Sequence, residues 1–181
     1  MAQRSIPPAT ERAVATPCER SHAAASRLRA AGFTCLPVGA RQAFHSPVVA
    51  DAAHRSRGAW QAVRLSPPAT AIYSAYLEGI LPVQVAADPE FWAMQPTRPV
   101  LFWPTLNRML ADHDLLLIEI GPGQSLTALA RRHPAVTSGR SSIVPLLPAA
   151  SGEPEDDIDA VRTAARRVAA EGYPLGELEL T

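Results

Sequence analysis

Leu115-Leu116-Leu117-Ile118-Glu119-Ile120-Gly121-Pro122-Gly123-Gln124-Ser125 decides the class of fold. Leu115 to Ile120 is nearly all apolar, the pattern of a strand buried on both faces. Gly121-Pro122-Gly123 then reads as a tight turn into a helix from Ser125 to Arg132. Strand, glycine turn and helix in succession mark an α/β protein. Outward from this stretch the same alternation continues. Ile143 to Leu147 reads as a last strand, Ser151 to Asp157 as an acidic loop and Ile158 to Glu171 as a final helix. On the other side, Arg98 to Ala111 is amphipathic, with Phe102, Leu106, Met109 and Leu110 on one face.

Further upstream, Asp88-Pro89-Glu90 starts a short helix, a capping residue followed by proline at the first helical position. Gln95-Pro96 ends it, because the residue before proline avoids the α region. Ala71 to Ala75 is a strand, Ser66-Pro67-Pro68 a break and Pro47 to Val63 a helix. Cys18 to Ala31 is helical and closed by Gly32, with strand candidates at Arg12 to Thr16 and Phe33 to Val38. That β-α-β run fits half of a split-βαβ layer, and residues 1–11 are a polar tail.

Composition narrows the function. The 181 residues carry 17 basic against 17 acidic side chains, so no charge excess points to nucleic acid or a membrane surface. No apolar run approaches the ~20 residues that span a bilayer, and no signal peptide precedes the first elements. Cys18 and Cys35 lack metal-site spacing and read as free thiols of a reducing, cytoplasmic compartment. His22, His54, His113 and His133 have no ligand spacing either, so no metal is expected.

Two constellations can carry chemistry. In Gln42-Ala43-Phe44-His45-Ser46-Pro47 the histidine stands just before a helix start signalled by Ser46-Pro47. The positive end of the helix dipole favours a neutral imidazole there. A neutral imidazole is what a general base needs. Gln95 ends a helix, so its backbone carbonyl can accept a hydrogen bond from one imidazole nitrogen and leave the other basic. Such a bond places the heavy atoms about 2.7–3.2 Å apart. Read alone, Gln95 is equally a solvated surface amide. The second constellation is Gly123-Gln124-Ser125-Leu126-Thr127, which approximates a nucleophile elbow but ends in threonine where the elbow has glycine. It reads as a structural turn, with a Ser125 hydrolase as the alternative.

Six stretches in order resemble the acyltransferase domains of type I polyketide synthases, relatives of malonyl-CoA:acyl-carrier-protein transacylase. Residues 42–47 are similar to that family's His-Ala-Phe-His-Ser-Pro, and Ala71-Ile72-Tyr73-Ser74 to its strand ending in Tyr-Ser. Asp88-Pro89-Glu90-Phe91-Trp92 resembles Asp-Pro-x-Tyr-Trp. Gln95 precedes Arg98-Pro99-Val100 as a glutamine does in the family. Ile118 to Gly123 resembles Leu-Glu-Val-Gly-Pro-Gly, and Val144-Pro145-Leu146-Leu147 the closing strand.

The resemblance covers roughly residues 12–150 and implies the C-terminal part of the acyltransferase fold, a parallel sheet with flanking helices. Residues 42–150 would supply that part, after a partial ferredoxin-like subdomain at 12–41; the acidic loop, helix and tail of 151–181 follow. It implies acyl-CoA as substrate and the phosphopantetheine thiol of an acyl carrier protein as acceptor, with no tightly bound cofactor. By the same resemblance His45 is the general base, the Gln95 carbonyl orients it, and Gln42 and Phe44 face the substrate. Phe44 resembles malonyl-type members, while Gln42 stands where the family has its first histidine. The family's Gly-His-Ser-x-Gly occurs nowhere in the chain. The expectation is therefore a base without its nucleophile. A partner chain would supply the other half, or else the chain is a non-catalytic remnant or interaction module. Missing strand neighbours are expected to leave apolar edges exposed and to favour association.

Overall fold

A computed structural model describes residues 18–35 and 42–173. They group into two compact units that divide between Thr105 and Leu106. Helix α1 (Cys18–Ala30) opens the first. Gly32, at φ +87, lets the amides of Gly32 and Phe33 fold back onto the carbonyls of Arg29 and Leu28. That is the glycine helix stop expected from the sequence. Phe33 to Cys35 are not a strand, and the Cys35 carbonyl instead accepts from the Arg29 guanidinium at 3.2 Å. The remaining strand candidates, Arg12 to Thr16 and residues 36–38, lie outside the described residues.

A 3₁₀ turn over Pro47–Val49 leads into α2 (Ala50–Gln61). A hairpin follows: β1 (Tyr73–Ser74) pairs antiparallel with β2 (Gly79–Ile80), in register Tyr73↔Ile80 and Ser74↔Gly79. The Leu101 amide donates to the Ala75 carbonyl at 2.7 Å and ties the hairpin turn to the later chain. Next come the single turn α3 (Val83–Ala86) and α4 (Pro89–Met94). Asp88 caps α4 through Oδ1, which accepts from the Glu90 amide at 2.9 Å. A 3₁₀ turn over Gln95–Thr97 extends it, so Pro96 does not end the helical run as the sequence suggests: Gln95 stays helical at φ −52 and ψ −42, and the chain becomes extended only at Arg98.

Helix α2 packs on α4. Trp60 stacks on Trp92 with ring centroids 6.1 Å apart, and Arg57 pairs with Glu90 across the same seam. Leu81, Ala86 and Phe91 form the buried cluster, with Tyr76, Val85 and Trp92 packed against it.

Helix α5 (Phe102–Asp112) starts four residues later than the amphipathic pattern suggests. Pro99 holds Arg98 extended, at φ −110 and ψ 146, so no helix can run through it. Leu106 and Leu110 are buried on the expected face.

In the second unit β3 (Leu116–Glu119) pairs parallel with β4 (Ser142–Pro145), and between them lie α6 (Ser125–Ala130) and α7 (Pro134–Thr137). This is the α/β arrangement with parallel strands read from the sequence. Full burial of the first strand is not observed. Ile118 is 39% exposed and Ile120, just past the strand, 81%; β4 is the only strand partner of β3 among the described residues.

The acidic stretch that reads as a loop in the sequence is instead the first turn of α8 (Pro154–Ala170). Pro154 is already helical, the Asp156 carboxylate accepts from the Glu153 amide at 3.1 Å, and Glu155, Asp156 and Asp157 face the positive end of the dipole. Among the described residues no helix is long and apolar enough to cross a membrane.

Candidate active site

His45 is the only described non-glycine residue besides Glu78 with a positive φ, at +60. Its neighbours explain why. Pro47 disfavours helical backbone at the residue before it, and Ser46 is extended at φ −143 and ψ 159. The chain reversal into the 3₁₀ turn therefore falls on His45, a residue type that tolerates the left-handed region better than most. Ser46 does not cap through its side chain. Its hydroxyl donates to the Ala43 carbonyl at 2.6 Å and closes the turn instead.

The backbone of His45 is anchored at the end of α4, by a contact the sequence does not suggest. Its amide donates to the Pro96 carbonyl at 2.6 Å, one residue beyond Gln95. The 3₁₀ turns at Pro47–Val49 and Gln95–Thr97 lie against each other, so the turn before α2 and the end of α4 meet at His45. The contact is made by main chain rather than by the ring. The Gln95 carbonyl accepts from the Arg98 amide at 3.1 Å, and no hydrogen bond joins it to the His45 imidazole among the described residues.

The His45 ring is exposed and faces Tyr76, with ring centroids 6.2 Å apart and planes inclined by 38°. Tyr76 lies in the hairpin turn two residues after Ser74, just beyond the Tyr-Ser motif. Burial pushes its phenol above the ordinary value. Gln42 is exposed, Phe44 is 51% exposed and Val48 70%.

Two other titratable groups, Glu119 and His133, brace local structure. Ser125 is exposed at the first position of α6. The Glu119 carboxylate spans the glycine turn below it, Oε1 accepting from the Leu126 amide at 3.1 Å and Oε2 from the Thr127 amide at 2.8 Å. Burial pushes this carboxyl upward, but hydrogen bonding from Thr127 and Leu126 outweighs it and holds the group below its ordinary value. His133 is buried, and burial together with the nearby Arg140 charge holds it below the usual imidazole value. Its Nδ1 accepts from the Ala135 amide, capping α7, which leaves Nε2 to donate to Asn107 Oδ1 at 2.9 Å. Cys35 is a free thiol, and no three metal-ligating side chains converge among the described residues.

No family model matches the chain. It is 33% identical over 121 residues to a phenolphthiocerol/phthiocerol polyketide synthase subunit of Mycobacterium tuberculosis, a match covering 67% of this chain and 8% of that protein. Among solved structures, the acyltransferase domain of an iterative polyketide synthase in enediyne biosynthesis is 32% identical. It covers 81% of this chain and 36% of its own, with a TM-score of 0.59. The acyltransferase domain of SpnD, solved with 2-(pent-4-yn-1-yl)malonyl, superposes with a TM-score of 0.76 at 22% identity, over 86% of this chain and 37% of its own. The chain thus spans well under half the length of these relatives. In class it is an α/β protein with the acyltransferase fold. More particularly, it is related to the acyltransferase domains of polyketide synthases.

Proposed function

We propose that the chain supplies the general base of an acyltransferase that moves a malonyl-type group from coenzyme A to the phosphopantetheine thiol of an acyl carrier protein. One observation carries this reading. His45 is held in a left-handed turn by a main-chain bond to Pro96, with its imidazole presented to solvent. Strain of that kind is typical of working residues rather than of packing.

In this reading the nucleophilic serine comes from another segment. His45 takes the serine hydroxyl proton as the oxygen bonds to the thioester carbon. Collapse of the tetrahedral adduct breaks the carbon–sulfur bond, and the proton leaves with the CoA thiol. In the second half, His45 takes the proton of the phosphopantetheine thiol. Its sulfur bonds to the acyl carbon, the carbon–oxygen bond breaks, and the proton returns to the serine. The end of α4, from Gln95 to Thr97, holds the His45 backbone through the Pro96 carbonyl, and Gln42 and Phe44 contact the acyl group.

Intact-mass spectrometry of the purified chain with malonyl-CoA is expected to show no acyl adduct. Adding a polypeptide that carries Gly-His-Ser-x-Gly, together with an acyl carrier protein bearing its phosphopantetheine thiol, is expected to give acyl transfer. His45→Gln should slow that transfer by about a hundred- to ten-thousandfold. Acylation of the chain alone at Ser125, or transfer indifferent to His45→Gln, overturns the proposal. Absence of transfer in every combination favours a non-catalytic interaction module.

A further inference from the structure

We infer that Tyr76 is the positioning residue for the His45 imidazole, an inference that rests on the reading of His45 as the base. The backbone of His45 is fixed by its left-handed φ and its bond to Pro96, but backbone fixation leaves the ring free to rotate about its side-chain torsions. The ring makes no hydrogen bond among the described residues, and Tyr76 is the aromatic side chain against it. A centroid separation of 6.2 Å lies within the range in which aromatic rings attract.

Tyr76 can serve as a wall because it is itself held on several sides. Its amide donates to the Ser74 hydroxyl at 3.2 Å, and the preceding carbonyl, of Ala75, accepts from Leu101 at 2.7 Å. The Leu81 amide closes the hairpin onto the Ile72 carbonyl at 2.7 Å, and the ring packs on the cluster of Leu81, Ala86 and Phe91. Contact with Tyr76 thus transmits the rigidity of that cluster to an otherwise exposed imidazole. The role needs an aromatic face at position 76 rather than the hydroxyl.

The test is NMR of the full chain with labelled histidine rings, the His45 signals being assigned by their loss in His45→Gln. The native chain should show a nuclear Overhauser contact between the two rings; its absence overturns the inference whatever any variant does. Tyr76→Leu should move the His45 ring signals to those of a free histidine and leave His133 unmoved, while Tyr76→Phe keeps them native. Unmoved His45 signals in a folded Tyr76→Leu chain also overturn it. In the reconstituted acyltransferase, Tyr76→Leu should lower kcat about ten- to a hundredfold at unchanged KM, with Tyr76→Phe restoring the rate. If the ring contact is present but transfer ignores both His45→Gln and Tyr76→Leu, it is the assignment of His45 as base that fails.

Discussion

Two turns in this molecule solve the same problem in opposite ways. Each feeds a short helix, and each needs a positive φ. Before α6 the positive φ values fall on Gly121 and Gly123, and a carboxylate from the preceding strand satisfies the first helical amides. Before α2 the positive φ falls on His45, and the turn is closed by the Ser46 hydroxyl and the Pro96 carbonyl. Every choice in the first turn agrees with local preference. The second puts a bulky imidazole where glycine would be easier. Glu78, the other described non-glycine residue with a positive φ, shows that the broken rule alone does not mark a working residue; at His45 it coincides with a solvent-facing imidazole.

The largest effect that sharpens this contrast belongs to Glu119. Glu119→Ala strips the acceptor from two amides in the first turn of α6 and should cost about 1–2 kcal/mol in urea melts. The same carboxylate sets a pH dependence. Its folded-state value lies below its unfolded one. Its stabilisation is therefore complete above the ordinary carboxylate range and is lost as pH falls through the depressed folded value. The stability gap between the native chain and Glu119→Ala should narrow in that acid window. A gap that stays constant there would mean that the carboxylate does not brace the turn.

Next in size is Gly123→Ala. A Cβ at this position meets nothing within 4 Å, so the substitution tests backbone conformation alone. At φ +83 an L-residue is strained, and the expected loss is about 1 kcal/mol by thermal or denaturant melting. Tolerance without loss would show that the turn is not held left-handed, and would remove half of the contrast.

The two turns also differ in how legible they are. Glycines beside a strand announce the structural turn directly. The helical starts at Pro89 and Pro154 follow from a local rule, since proline suits the first position of a helix. The same rule places His45 beside a helical start, and the family motifs single it out. Its left-handed φ is not readable: Pro47 disfavours helical backbone at Ser46, but the same rule fails at Gln95 before Pro96, and it does not dictate the conformation of the residue before. Burial of the strand at Leu115 to Ile120 is not readable. An apolar run says that a strand has room for neighbours on both faces, not that they are present, and Ile118 and Ile120 are left uncovered. Tyr76 is hidden by a weak local signal. It owes its place to a hairpin whose second strand, Gly79–Ile80, is two residues long and carries no alternation.

The smallest effect is also the sharpest. If His45 bears conformational strain for the sake of its ring, His45→Gly should relieve the strain while removing the imidazole. His45→Ala removes the same imidazole but keeps a Cβ in the left-handed region. Against the gain stands glycine's larger loss of chain entropy on folding, which offsets about 0.5–1 kcal/mol. The glycine variant should therefore be about as stable as the native chain, and more stable than the alanine variant by up to about 1 kcal/mol. Both should be equally deficient in acyl transfer. Paired thermal melts with a transfer assay read both quantities on one preparation. A glycine variant less stable than the alanine variant would mean that residue 45 is not held left-handed in solution, and the turn before α2 would then be as ordinary as the one before α6.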